Sequence, residues 1–165
     1  MSDAPSRVTY MENLMTELGA ALADQAGRKS KLETLWSRIA PEDHAGRCIA
    51  AHYIADAQDD LDAEVEWDEV ALAESAHVSD AELQAVHESL SVAGFMPSLH
   101  LNLADGYRRQ GRFAEAADRL QTSREFDFVL DSAIDPAYAS GIRDAQDRLA
   151  DRIAAADSSA DPLPS

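Results

Sequence analysis

Cysteine, lysine and aromatic residues are scarce in this sequence, and each scarcity excludes something. A single cysteine, Cys48, in 165 residues leaves no internal disulfide and suits a reducing compartment. No run approaches the roughly 18 apolar residues of a membrane helix, which argues against a transmembrane chain. The opening residues carry Asp3, Glu12 and Glu17 without a cationic start, so a secretory signal is not expected and the expected location is the cytoplasm. The seven glycines are all isolated: there is no phosphate-binding glycine loop, no G-x-G-x-x-G and no G-x-S-x-G elbow. Positive charge is the scarcest property. Fourteen Lys and Arg face 31 Asp and Glu, a net charge of −17 that repels phosphate backbones and excludes general nucleic-acid binding.

What is present is helix-forming. Apolar residues make up 45% of the chain, enough for a core in one domain of this length. Alanine, leucine, glutamate and arginine dominate, and strand-like alternation is absent. The bias towards alanine, and towards arginine over lysine, suggests a GC-rich bacterial genome. Capping boxes at Thr9–Glu12, Ser30–Glu33 and Ser79–Glu82, with entries at Pro41 and Asp135-Pro136, mark helix starts. The predicted fold is all-α, with eight helices over about 8–26, 30–39, 41–57, 61–77, 79–91, 97–109, 112–131 and 136–155, punctuated by Gly27, Gly46, Gly94 and Gly111. Short connections imply antiparallel helical hairpins. Residues 1–6 and the acidic tail 157–165 are expected to be disordered, and 7–156 to form a single domain. Ile142, Ala145, Leu149 and Ile153, at steps of three and four, give the last helix a one-sided docking face, suited to capping the stack or to a homodimer.

The negative charge is uneven. From Cys48 to Tyr107 there is no Lys or Arg, against 13 acids. Such a block attracts cationic partners within the reach of salt screening, or simply keeps the chain soluble.

The segment His100-Leu101-Asn102-Leu103-Ala104-Asp105-Gly106-Tyr107, followed by Gln110-Gly111-Arg112-Phe113 and then Ala116 and Leu120, resembles a tetratricopeptide repeat over 98–127. His100 stands at the family's tryptophan, Ala104 at its glycine and Leu120 at its phenylalanine, and no proline closes the unit. Ile49-Ala50-Ala51-His52-Tyr53, with Trp67 and Ala71, resembles a second copy over 47–77, at a spacing wider than the family period. The resemblance implies a short stack of hairpins, a TPR-like α-solenoid, with a groove that holds a partner segment. It thus implies a protein or peptide partner for a non-catalytic adaptor, with no cofactor. The candidate partner-binding residues are Asn102, Asp105, Arg108, Arg109 and Arg112; Asn102 resembles the asparagine that grips a ligand backbone in the family, and the arginines could pair with a carboxylate. A sensor that uses the groove for a small molecule or signal peptide is the alternative.

Metal chemistry rests on His44, Cys48 and His52, at i, i+4 and i+8 of one predicted helix. The outer pair is about 12 Å apart along the axis, too far to share an ion without a bend, and a fourth ligand would have to come from another helix, with His87 or His100 as candidates. The acidic run from Asp56 to Asp62 fails as a calcium loop, because Leu61 replaces the turn glycine and Trp67 the terminal glutamate. No nucleophile–base arrangement stands out, so an enzyme is not expected.

Overall fold

The computed structural model describes residues 6–84, 88–132 and 135–160. Among them are eight α-helices, one 3-10 helix and no strand. The α-helices are α1 (Arg7–Ala23), α2 (Arg28–Arg38), α3 (His44–Asp56), α4 (Leu61–Ser75), α5 (Asp80–Gln84), α6 (Val92–Arg109), α7 (Phe113–Glu125) and α8 (Pro136–Ala154), with the 3-10 helix at Asp127–Ser132. The chain divides into two compact units, Met1–Val92 and Ala93–Ser165, where length alone leads to the expectation of one domain over 7–156.

The first unit builds a core from α1, α2 and α3. Leu14, Leu18 and Ala21 of α1 meet Leu32 and Leu35 of α2 and Ala50 and Ile54 of α3, with Trp36 and Trp67 packed edge to face at 4.9 Å beside them. Full burial of each such leucine or isoleucine contributes about 1.5–3 kcal/mol. Asp24–Lys31 and Glu17–Arg38 pairs bracket an antiparallel α1–α2 hairpin. The fully buried Ala51 and Ala71 sit in α3 and α4, which pack closely along their length.

Helix entries differ in part from their sequence signals. Ser79 and Glu82 form the expected reciprocal cap, with Ser79 N donating to Glu82 Oε2 at 2.9 Å and Glu82 N to Ser79 Oγ at 3.4 Å. The first helix is capped by Ser6 rather than Thr9, because the Ser6 hydroxyl accepts from Thr9 N. The second starts after Gly27 with no side-chain cap, and Ser30 lies inside it. Pro41 falls in the preceding turn, and Asp43 caps α3 through Gly46 N at 3.2 Å. Gly46 is therefore helical, not a break. Residues 85–87 of the helix expected over 79–91, including His87, lie outside the described residues, as do 1–5 and 161–165.

The second unit packs α6, α7 and α8 around Leu101, Ala104, Leu120 and Leu149. Its turn is built as its sequence suggests. Gly111 takes φ +77°, and Gly111 N donates to Arg108 O and Arg112 N to Tyr107 O, which satisfies the last carbonyls of α6. The reversal makes α6 and α7 an antiparallel hairpin, tied at its far end where the buried Ser123 Oγ donates to Pro97 O at 2.7 Å. Pro97, expected near the helix start, lies inside α6, which begins five residues earlier at Val92. The last part of the predicted 112–131 helix winds as the separate 3-10 turn.

Candidate functional site

Helix α6 sets the geometry of the second unit's surface. Leu103, Ala104 and Tyr107 face inward, each at most 6% exposed, and His100 is buried in a stack on Phe126 with ring centroids 6.3 Å apart. Burial, with the Arg119 charge, lowers the His100 pKa and favours the neutral ring. Asn102 and Asp105 lie on the side of α6 that faces α8. There they line a groove of about 240 Å³ with Leu101 and, from α8, Ala145, Arg148, Leu149 and Arg152. Leu101 and Leu149 make an apolar floor, and amide and charged groups make the rim.

The five residues expected to bind a partner divide sharply. Asn102 and Asp105 reach the groove. Arg108 does not, since its side chain is 0% exposed; its Nε donates to Asp105 Oδ1 at 2.9 Å, and Nη1 donates to the carbonyls of Asp157 and Ser159 at 2.6 and 2.8 Å. A buried guanidinium is costly unless its donors are met; these acceptors take Nε and Nη1, while Nη2 lies 2.8 Å from Asp105 Oδ1 as an ion pair without a hydrogen bond. Arg109 donates to Asp105 Oδ2 at 2.9 Å. Arg112 is engaged by Glu115 at 2.8 and 2.5 Å, by Gln110 Oε1 at 3.0 Å and by the Tyr107 ring, 3.8 Å from its guanidinium carbon. Asn102, Asp105 and Arg109 do share one face of α6, and all three arginines are engaged within the chain.

The free cation of the groove comes from α8 instead. Arg148 is exposed on the rim and has no ion-pair or hydrogen-bond partner among the described residues. Arg148 and Arg152 flank the apolar stripe of α8 at a four-residue step, so the sequence places them beside that stripe. It does not show that α6 is what the stripe covers. A second groove, between α1 and α2, is lined by Glu17, Lys31, Leu35 and Arg38, but its cations are spent on Asp24 and Glu17.

No family model, no curated protein and no solved structure matches this chain.

The sequence-marked metal candidates point three ways. His44 Nδ1 lies 2.6 Å from Glu74 Oε2 on α4, and its ring sits 4.9 Å from that of His77. Cys48 is 3% exposed, and burial, together with the Glu74 charge, pushes its thiol up to about 12. His52 packs against Tyr53. Among the described residues no group of three or more His, Cys, Asp or Glu could hold a metal ion. What the sequence does not reveal is Glu74, which accepts from Arg47 Nε at 2.8 Å while the Arg47 guanidinium covers the Trp36 ring at 3.9 Å. This seam joins residues some 30 positions apart, and no local pattern announces it.

Proposed function

We propose that this chain is a non-catalytic, tetratricopeptide-like interaction module whose α6–α8 groove holds a segment of a partner protein. The observation that carries the reading is the groove itself, with an apolar floor of Leu101 and Leu149, the Asn102 amide, and Arg148 exposed without a partner among the described residues. An extended segment would set an apolar side chain on that floor, its backbone against Asn102 and an acidic side chain on Arg148. The order of helices supports the family comparison. In the second unit α6 and α7 are antiparallel and α8 returns alongside α6, the arrangement by which one hairpin is followed by the first helix of the next. A small-molecule pocket is the poorer reading, because such pockets typically enclose roughly 300–1,000 Å³ and this groove is smaller and rimmed by charge.

The test is co-purification from the native cell with wild-type chain and with Asn102→Ala, Arg148→Ala double variant. The variant should keep its helical circular dichroism and its melting temperature while losing most of the captured partner. Equal capture by both proteins would remove the groove from consideration.

A further inference from the structure

The chain that follows α8 is held in an unusual way. Residues 157–160 leave the helix, and Ser158, Ser159 and Ala160 are exposed, so the segment buries no apolar side chain. Polar contacts to two arginines from different helices hold it. Arg108 of α6, fully buried, gives Nη1 to Asp157 O at 2.6 Å and to Ser159 O at 2.8 Å. Arg152 of α8 gives Nε to Asp157 Oδ2 at 3.0 Å and Nη2 to Ser159 Oγ at 3.0 Å and Ser159 O at 3.1 Å. Within the segment, Asp157 Oδ1 accepts from Ser159 N at 2.9 Å. Bonds from Ser159 and Arg152 hold the Asp157 carboxyl well below the usual carboxylate range, so the segment presents a full negative charge to Arg152.

Two features of this arrangement bear on what it can bind. A fully buried cation gives its Nη1 to two main-chain carbonyls about 50 positions away, and main-chain carbonyls are common to every peptide. The side-chain selectivity lies in Arg152, which reads an aspartate and a hydroxyl two residues later. Arg152 also lines the α6–α8 groove, and Asp105, which orients Arg108, lines it too. The two sites are therefore continuous. A segment bound without apolar burial opens at low cost.

We propose that Arg108 and Arg152 form a binding site for peptides of Asp-x-Ser type, which residues 157–160 fill in cis as a displaceable strap, and that a partner segment lying in the groove continues into this site when the strap lifts. The second clause rests on the groove reading; the first does not.

The test titrates full-length, 15N-labelled protein with a synthetic peptide of residues 157–165, N-terminally acetylated, and follows the arginine Nε–Hε signals. The protein is either wild type or carries Asp157→Ala and Ser159→Ala, which weaken the strap and keep its carbonyls. The variant should show saturable shifts at Arg108 and Arg152 and bind about tenfold more tightly than wild type, whose tethered copy competes at an effective concentration on the order of millimolar. Peptide carrying Asp157→Asn and Ser159→Ala should bind about tenfold more weakly than the native peptide, and Arg152→Gln in the protein should abolish the difference between the two peptides. Absence of shifts in the variant at millimolar peptide, or equal binding by variant and wild type, overturns the proposal. That outcome leaves the groove reading standing, because Asn102 and Arg148 lie outside the clamp. Peptide binding alongside unchanged partner capture by the Asn102→Ala, Arg148→Ala chain removes the groove reading and keeps the strap.

Discussion

Single residues carry more of this fold than their type suggests. Gly46 is helical and buried because the capping carboxylate of Asp43 folds over it: an added methyl would collide with that carboxylate and come within 3.0 Å of Leu14 Cδ2. Gly46→Ala, which would stabilise an open helix, is therefore expected to cost about 1–3 kcal/mol, read as a lowered urea midpoint. An unchanged or raised midpoint would mean that Asp43 moves aside freely. Ala156 is the opposite case. It takes φ +50°, the left-handed conformation glycine favours, and ends α8 with Ala156 N donating to Ile153 O and Asp157 N to Arg152 O. Ala156→Gly should relieve about 1 kcal/mol of local strain and raise the melting temperature by a few degrees. A lowered melting temperature would show that the unfolded-state entropy of glycine outweighs the strain. Cys48, with its thiol pushed up to about 12 by burial and the nearby Glu74 charge, behaves as a small core residue.

At the scale of elements, helices were readable where local chemistry decides them. Ser79–Glu82 closes as a capping box, Asp135 caps α8 through Ala137 N at 2.9 Å, and Gly111 reverses the chain where its sequence context indicates. Entries that depend on which polar group lies nearest were not readable. Ser6 and Asp43 cap the helices whose starts the sequence marks at Thr9 and Pro41, since any hydroxyl or carboxylate within a turn competes for the same free N–H groups. Of the tail 157–165 expected to be disordered, 157–160 are held by hydrogen bonds from Arg108 and Arg152, whose approach is a tertiary event, and 161–165 lie outside the described residues. The α3–α4 seam offers a pH test. Burial raises the Glu74 pKa, but hydrogen bonds and charge from Arg47 and His44 outweigh it, and the folded-state value lies below the ordinary 4.5. A depressed carboxylate contributes stability above its unfolded value and loses it as pH falls through the folded one. The stability gap between wild type and Glu74→Gln should therefore be widest near neutrality and narrow below pH 4.5, followed by urea unfolding. A gap that does not change with pH would assign the effect of Glu74 to shape alone.

Across the whole molecule, the charge and the candidate site belong to different units. Residues 1–92 hold six bases and 19 acids, a balance of −13, while residues 93–165 hold eight bases and 12 acids, a balance of −4, which together give −17. The acidic stretch is thus almost wholly a property of the first unit, and the groove with its free Arg148 belongs to the second. Self-repulsion in the first unit should make the protein more heat-stable as salt rises from about 20 to 200 mM, where screening shortens from roughly 20 Å to under 10 Å. A melting temperature indifferent to salt over that range would show the acids to be spaced widely enough not to repel.

The sequence by itself determined the all-helical fold, the α6–turn–α7 hairpin and the burial of Ala104, Tyr107, Ala116 and Leu120, because helix propensity, a left-handed glycine and apolar spacing act within a few residues. It also placed Asn102 and Asp105 on one face. Only the tertiary structure decided that Arg108 is buried, that Arg148 stands exposed on the groove's rim, and that residues 157–160 are held by two arginines from different helices. Those outcomes depend on which helix face meets which, and on whether a charge finds its acceptor in its own helix or about 50 positions away. Desolvation makes that choice sharply, since a buried guanidinium must find every acceptor it can.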